Sequence, residues 1–131
     1  MAELFSDEWM KSYMVAWNQD EEITKPLAEI GFKSTIGYGF EGDDKPVGVI
    51  VVENGQMISA GAYGGETLNW DLRAKKESWD KWLVKGLGLA GLGMAYASRK
   101  LKFAVGDYGS MVKDPRMAGP FIKTFKVMSK I

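Results

Sequence analysis

Asn54-Gly55 lies between two apolar runs, and this dipeptide constrains the fold more than any other feature of the chain. A type I′ turn needs positive φ at both central positions, and Asn-Gly accepts that at little steric cost. Before it, Val47 to Val52 is nearly all β-branched, as in a strand covered on at least one side. After it, Gln56 to Tyr63 returns as a further strand. Upstream, Phe32, Ile36, Tyr38 and Phe40 keep period 2, with Lys33, Thr35 and Gly37 opposite. The polar turn Glu41 to Pro46 links that run to the next. The pattern predicts a three-strand antiparallel meander over residues 32–63.

The flanking segments alternate between helix and strand. Residues 6–19 predict an amphipathic helix with Ser6 as its cap and Asp7 and Glu8 at the positive end of its dipole. Trp9, Met10, Tyr13, Met14 and Trp17 form its apolar stripe. Asp20, Glu21 and Glu22 read as a solvated helix end. A shorter helix is expected from Ile23 to Ile30, with Pro26 in its first turn and Gly31 as the stop. Trp70, Leu72 and Ala74 alternate with Asp71, Arg73 and Lys75, the signature of a half-buried strand. Glu77 to Val84 predicts a helix, and a glycine-rich run from Gly86 to Gly93 leads into Met94 to Ala97. Leu101 to Val105 reads as a fifth strand. Tyr108 to Ile131 reads as helix with breaks near Pro115 and Pro120. No repeat or low-complexity linker interrupts the 131 residues, so a single α+β domain over 1–131 is expected.

The chain contains no His and no Cys. That removes the Ser-His-Asp triad, cysteine nucleophiles, thiolate and imidazole zinc sites, and disulfides. A carboxylate, Lys or Tyr could still do acid–base work, but only if burial tuned its pKa, and nothing in the sequence marks such a group. Lys+Arg and Asp+Glu balance at 17 each, without the basic excess by which a protein holds nucleic acid. A binding role is expected, with no enzyme activity, no cofactor, no metal and no nucleic-acid partner.

Two motifs need weighing. Gly86, Gly88 and Gly91 match G-x-G-x-x-G, and Asp107 stands 21 residues after Gly86, as in dinucleotide sites. The preceding residues look helical, however, and the motif should follow a buried parallel strand. The glycines therefore read as a closely packed or pliable segment, and Asp107 as the cap of the following helix. Glu41, Asp43 and Asp44 read as a solvated turn, because Glu53 falls one residue beyond the calcium-loop position and a strand intervenes.

Met1 to Asp7 is acidic and lacks the basic flank and apolar run of a signal peptide. No stretch of about 18 apolar residues could span a bilayer. Ser129-Lys130-Ile131 comes near the peroxisomal S-K-L ending but closes on the wrong residue. A cytoplasmic protein is expected.

The apolar inventory is unusual, with five Trp, five Tyr, six Phe and eight Met. Trp79, Trp82, Leu83, Leu87, Leu89, Leu92 and Met94 gather beside the glycine-rich backbone. Each alone reads as core. As a set, together with Met117, Phe121, Phe125 and Met128, they exceed what one sheet face requires once the first helix covers part of it. They are expected to enclose an apolar space for a ligand. Lys85, Arg99 and Lys100 flank the segment and are placed to hold a carboxylate or phosphate at its mouth.

Several motifs then fall in a familiar order. They are Phe5-Ser6-x-Glu8-Trp9, Trp17-Asn18, the turn Val52-Glu53-Asn54-Gly55-Gln56, Trp82-Leu83-x-x-Gly86, and Leu101 to Asp107 before a terminal helix. In this order and spacing the chain resembles the sterol carrier protein type 2 family over nearly its whole length. The resemblance implies a five-stranded mixed sheet, in which two further strands join the meander. It also implies helices packed on one face and a hydrophobic tunnel between the layers. It implies binding and carriage of a fatty acid, fatty acyl-CoA, sterol or similar lipid, without catalytic residues. Leu87, Leu89, Leu92, Met94, Phe103, Val105, Phe121 and Phe125 fall where that family lines its tunnel. Trp82, Leu83 and Met117 complete the expected ligand-binding set. The missing S-K-L ending points to a prokaryotic stand-alone version, and the four glycines from Gly86 to Gly93 leave the pocket shape open. The carrier reading leaves room for transient membrane contact. The rivals are a docking subunit whose apolar surface meets a protein partner or a second copy, and a small enzyme acting on hydrophobic acyl or aromatic substrates.

Overall fold

A computed structural model describes residues 3–131; Met1 and Ala2, which begin the stretch read for a leader, lie outside the described residues. Helix α1 (Asp7–Gln19) starts where expected, with the Trp9 N–H donating to Ser6 Oγ at 3.3 Å. Helix α2 (Glu21–Glu29) starts earlier than the sequence predicts. Asp20 ends α1 and also caps α2, accepting from the Glu22 N–H at 2.9 Å. The acidic triplet is thus a cap and a first turn. Pro26 consequently sits inside α2, where its ring removes the bond to the carbonyl of the exposed residue Glu22.

The meander forms as β1 (Lys33–Phe40), β2 (Gly48–Glu53) and β3 (Gln56–Ala62), with Ile36 opposite Ile50 and Ile50 opposite Ala60. Strand β4 (Trp70–Ala74) joins the free edge of β1 in parallel, pairing Leu72 with Tyr38. Strand β5 (Leu101–Val105) closes the far edge antiparallel to β4. The five-stranded mixed sheet therefore has the order β3-β2-β1-β4-β5. Between β4 and β5 lie α3 (Lys76–Lys85) and α4 (Leu89–Ala97), and after β5 come α5 (Tyr108–Lys113) and α6 (Pro115–Met128).

The expected break at Pro115 is present: Asp114 ends α5 and caps α6, and Pro115 takes the first helical position. The break at Pro120 is absent. That proline lies inside α6 and is buried against the core, so packing outweighs the one bond lost to the Arg116 carbonyl. Strand β4 also departs from expectation. Asp71 and Arg73 are only 4% and 7% exposed, so the strand is buried on both faces.

Aromatic side chains fill the space between helices and sheet. Trp79 stacks on Phe125 and meets Phe5 edge-on, with Phe5–Trp79 centroids 5.0 Å apart. The indole of Trp79 donates to the Gly39 carbonyl at 2.9 Å, so that buried donor is not stranded.

The hairpin turn is held by side chains of α1. Asn54 and Gly55 have φ of 50° and 82°. Trp17 Nε1 donates to the Gly55 carbonyl at 3.0 Å, and Asn18 exchanges two hydrogen bonds with the Met57 backbone. A Cβ on Gly55 would stand 2.5 Å from the Thr24 carbonyl oxygen and 2.7 Å from the Ala28 nitrogen, both backbone atoms of α2. Gly55→Ala is therefore expected to destabilise by about 2–3 kcal/mol, combining left-handed strain with overpacking. Gly42 has φ of 94° and nothing within 4 Å of an added Cβ. Gly42→Ala should lose only about 1 kcal/mol. Denaturant melts of the two variants separate strain from collision, and equal losses would refute the close approach of α2.

Candidate ligand-binding site

Helices α5 and α6 lie over the helix-covered face of β1 and leave a cavity of about 20 Å³ beneath them. Its floor is Phe32, Ile36 and Tyr38; its walls include Trp17 and Leu27. Met111, Met117, Pro120, Phe121 and Thr124 form its roof. None of these side chains carries a charge. The space matches about one water molecule, so the helices are closed on the sheet.

Hydroxyls supply the side-chain polarity beside a largely apolar lining. Tyr38 Oη lies 3.1 Å from Tyr13 Oη, and both rings are buried. Thr124 Oγ1 donates to the Phe121 carbonyl at 2.5 Å. Burial pushes the Tyr38 phenol up to about 12. Burial, and secondarily the neighbouring Tyr38, pushes Tyr13 well above its ordinary value. Both stay neutral at physiological pH. Ser34, two residues before Ile36 and on the same face of β1, has a buried hydroxyl without a partner.

Of the residues the sequence singled out, Met117 and Phe121 line this cavity. Phe125 meets Phe121, Trp79 and Trp82 through its ring, and Phe103 meets Phe121 at 6.3 Å. Leu92 is fully buried, and Leu83 and Leu87 are half-buried. Leu89, Met94 and Val105 point away, at 59%, 74% and 41% exposure. The reasons are geometric. Helix α4 is apolar around its whole circumference and buries only Leu92 and Ala95. Val105 pairs with Asp71, on the sheet face opposite Phe103 and Leu72. The lining residues from α1, α2 and β1 were legible only as core. Thr124, a polar residue within the apolar stripe of α6, was the one available signal.

The glycine motif follows a helix. Gly86 ends α3, donating to the Trp82 carbonyl at 2.7 Å, and Gly88 begins α4. Asp107 caps α5, accepting from the Ser110 side chain and N–H, and these bonds hold its carboxyl below the ordinary range. Glu41 pairs with Lys102, which lowers its pKa. Open grooves of about 600 and 550 Å³ run along either side of Gly86-Leu87-Gly88. Among the described residues no helix is long and apolar enough to cross a membrane.

The architecture is an α+β domain whose mixed sheet carries its helices on one face, with an uncharged cavity under the last two. No protein-family model and no curated protein matches the chain. Solved structures do. A sterol carrier protein 2 crystal structure superposes with a TM-score of 0.78 over 98% of this chain and 99% of that one, at 18% identity. A conserved hypothetical protein of Thermus thermophilus, whose description suggests a sterol carrier protein, gives 0.65 over 98% and 86%, also at 18% identity. A UbiJ-SCP2 ubiquinone synthesis protein gives 0.58 over 93% and 88%, at 9% identity. The chain has the sterol carrier protein 2 fold.

Proposed function

We propose that residues 1–131 act as one sterol-carrier-like domain that binds and carries a lipid beneath α5 and α6. The candidates are a fatty acid, fatty acyl-CoA, sterol or similar molecule. The observation that carries the reading is the uncharged lining of the space between β1 and α6. The sterol carrier protein 2 that shares the fold supports it.

Ligand pockets run to about 300–1,000 Å³, so a lipid enters only if α5 and α6 lift from the sheet. Met111 and Met117 suit that movement, because unbranched thioether side chains repack at low cost. Ten buried methylenes supply about 8 kcal/mol, against which stand the lifting of the helices and the ordering of the chain. An ionised head group finds no partner inside and stays in water, since a lone buried charge is expelled.

Titration with a fluorescent fatty acid, supported by native mass spectrometry, should give saturable one-to-one binding at about micromolar concentration. Met117→Trp fills the roof from a half-buried position and should weaken binding at least tenfold, with the melting transition retained. Binding that never saturates, or an unchanged affinity in the variant, would overturn this site.

A further inference from the structure

We propose that the corner formed by α3 and α4 docks onto anionic lipid bilayers. Val84, Leu89 and Met94 are 79%, 59% and 74% exposed and stand on adjoining turns of these helices. Helix α4 carries no charged residue at all, which no globular surface requires. Lysines frame this apolar corner. Lys81, Lys85 and Lys100 line the groove that holds Met94, and Lys85, Lys126 and Lys130 line the groove that holds Val84. Among the described residues none of these five lysines forms an ion pair. The acidic groups in the two grooves are Glu22 and Glu77, and Glu22 is engaged by Lys123.

The whole chain has no net charge, so this face is positive by arrangement rather than by composition. Exposed apolar side chains with lysines outside any ion pair in the grooves on both sides are the pattern of an interfacial helix. The apolar side chains enter the head-group boundary while the long lysine stems keep their ammonium groups at the phosphates. A second copy of the chain would bring the same five cations against one another, so charge favours an anionic surface over self-association. The inference does not rest on the lipid cavity: docking needs only exposed residues, and an empty domain docks equally well.

Co-sedimentation with phosphatidylcholine vesicles, with and without phosphatidylserine, tests it. Partitioning is expected to be at least tenfold stronger with phosphatidylserine. It should fall in about 0.5 M salt, where the screening length drops to roughly half its physiological value of about 8 Å. Leu89→Glu combined with Met94→Glu, and separately Lys81→Glu combined with Lys85→Glu, should each reduce binding tenfold or more. All four positions lie at the surface, so thermal melts should be unchanged, and the Leu89→Glu, Met94→Glu pair should leave fatty-acid titration unchanged as well. Equal partitioning onto both vesicle types would overturn the proposal, as would unaltered binding by both variants. A dimer in light scattering that Met94→Glu dissolves, without vesicle binding, would assign the corner to self-association instead.

Discussion

Arg73→Met is expected to lose about 3–5 kcal/mol of stability, a large part of the roughly 5–15 kcal/mol that holds a domain together. Arg73 grips Asp71 in a two-pronged pair, Nε to Oδ1 at 2.6 Å and a terminal nitrogen to Oδ2 at 2.9 Å. Its other terminal nitrogen donates to the Asp43 carbonyl at 2.7 Å and the Phe40 carbonyl at 3.3 Å, tying the β1–β2 loop to β4. Both side chains are more than nine-tenths buried. Methionine preserves the length of the stem but leaves a carboxylate in a dry site with no counter-charge. The penalty thus comes from the stranded Asp71 more than from the pair's own worth. The double variant Asp71→Leu, Arg73→Met removes both charges and should recover at least half of the loss. Arg73→Lys keeps the charge but gives up the planar fork, and should fall between. Urea midpoints at constant slope measure all three. A single-variant loss under about 1 kcal/mol would mean that Asp71 reaches water.

This pair also marks where the sequence stops being legible. Alternation in Trp70 to Lys75 correctly separates the two faces of β4 and places Leu72 on the helix side. It says nothing about what covers the second face. That depends on β4 lying between β1 and β5, a non-local arrangement with no turn signal of its own. The Asn54-Gly55 hairpin was readable for the opposite reason, since its register is fixed by a two-residue turn. Pro120 misled because a local rule was applied where burial decides. Helix α4 misled because a segment apolar on every side gives no direction: Leu92 turned in, while Leu89 and Met94 turned out. The cavity drew on Trp17, Leu27 and Tyr38, whose stripes look like those of any core helix or strand. The fold was therefore visible in turns, caps and periods. The identity of the lining depended on how α6 crosses β1, which none of those signals encodes.

Alkaline pH should unfold the protein through the hydroxyl pair beside that cavity. Tyrosines in an unfolded chain release their protons near pH 10. In the folded protein burial holds the Tyr38 proton until about pH 12 and pushes the Tyr13 pKa well above its ordinary value. Below pH 10 both phenols are neutral in either state, so their contribution to stability is intact. Above it the unfolded chain binds fewer protons, and stability falls with rising pH. Each tyrosine contributes a slope of about 1.4 kcal/mol per pH unit, and the two together nearly 3. Between pH 10 and 12 the loss from Tyr38 is about 2 kcal/mol, and Tyr13 adds to it in the same direction. Unfolding followed by circular dichroism should coincide with a step in tyrosinate absorbance, because these two rings ionise only as the core opens. Tyr13→Phe should halve the slope and lose about 1 kcal/mol at neutral pH, where Tyr38 then lacks its partner. Tyr13→Phe combined with Tyr38→Phe should flatten the slope. An alkaline transition that the double variant leaves unmoved would place its origin elsewhere. The same burial fixes what the cavity offers a ligand: a hydroxyl that donates or accepts a hydrogen bond without acquiring charge anywhere in the physiological range.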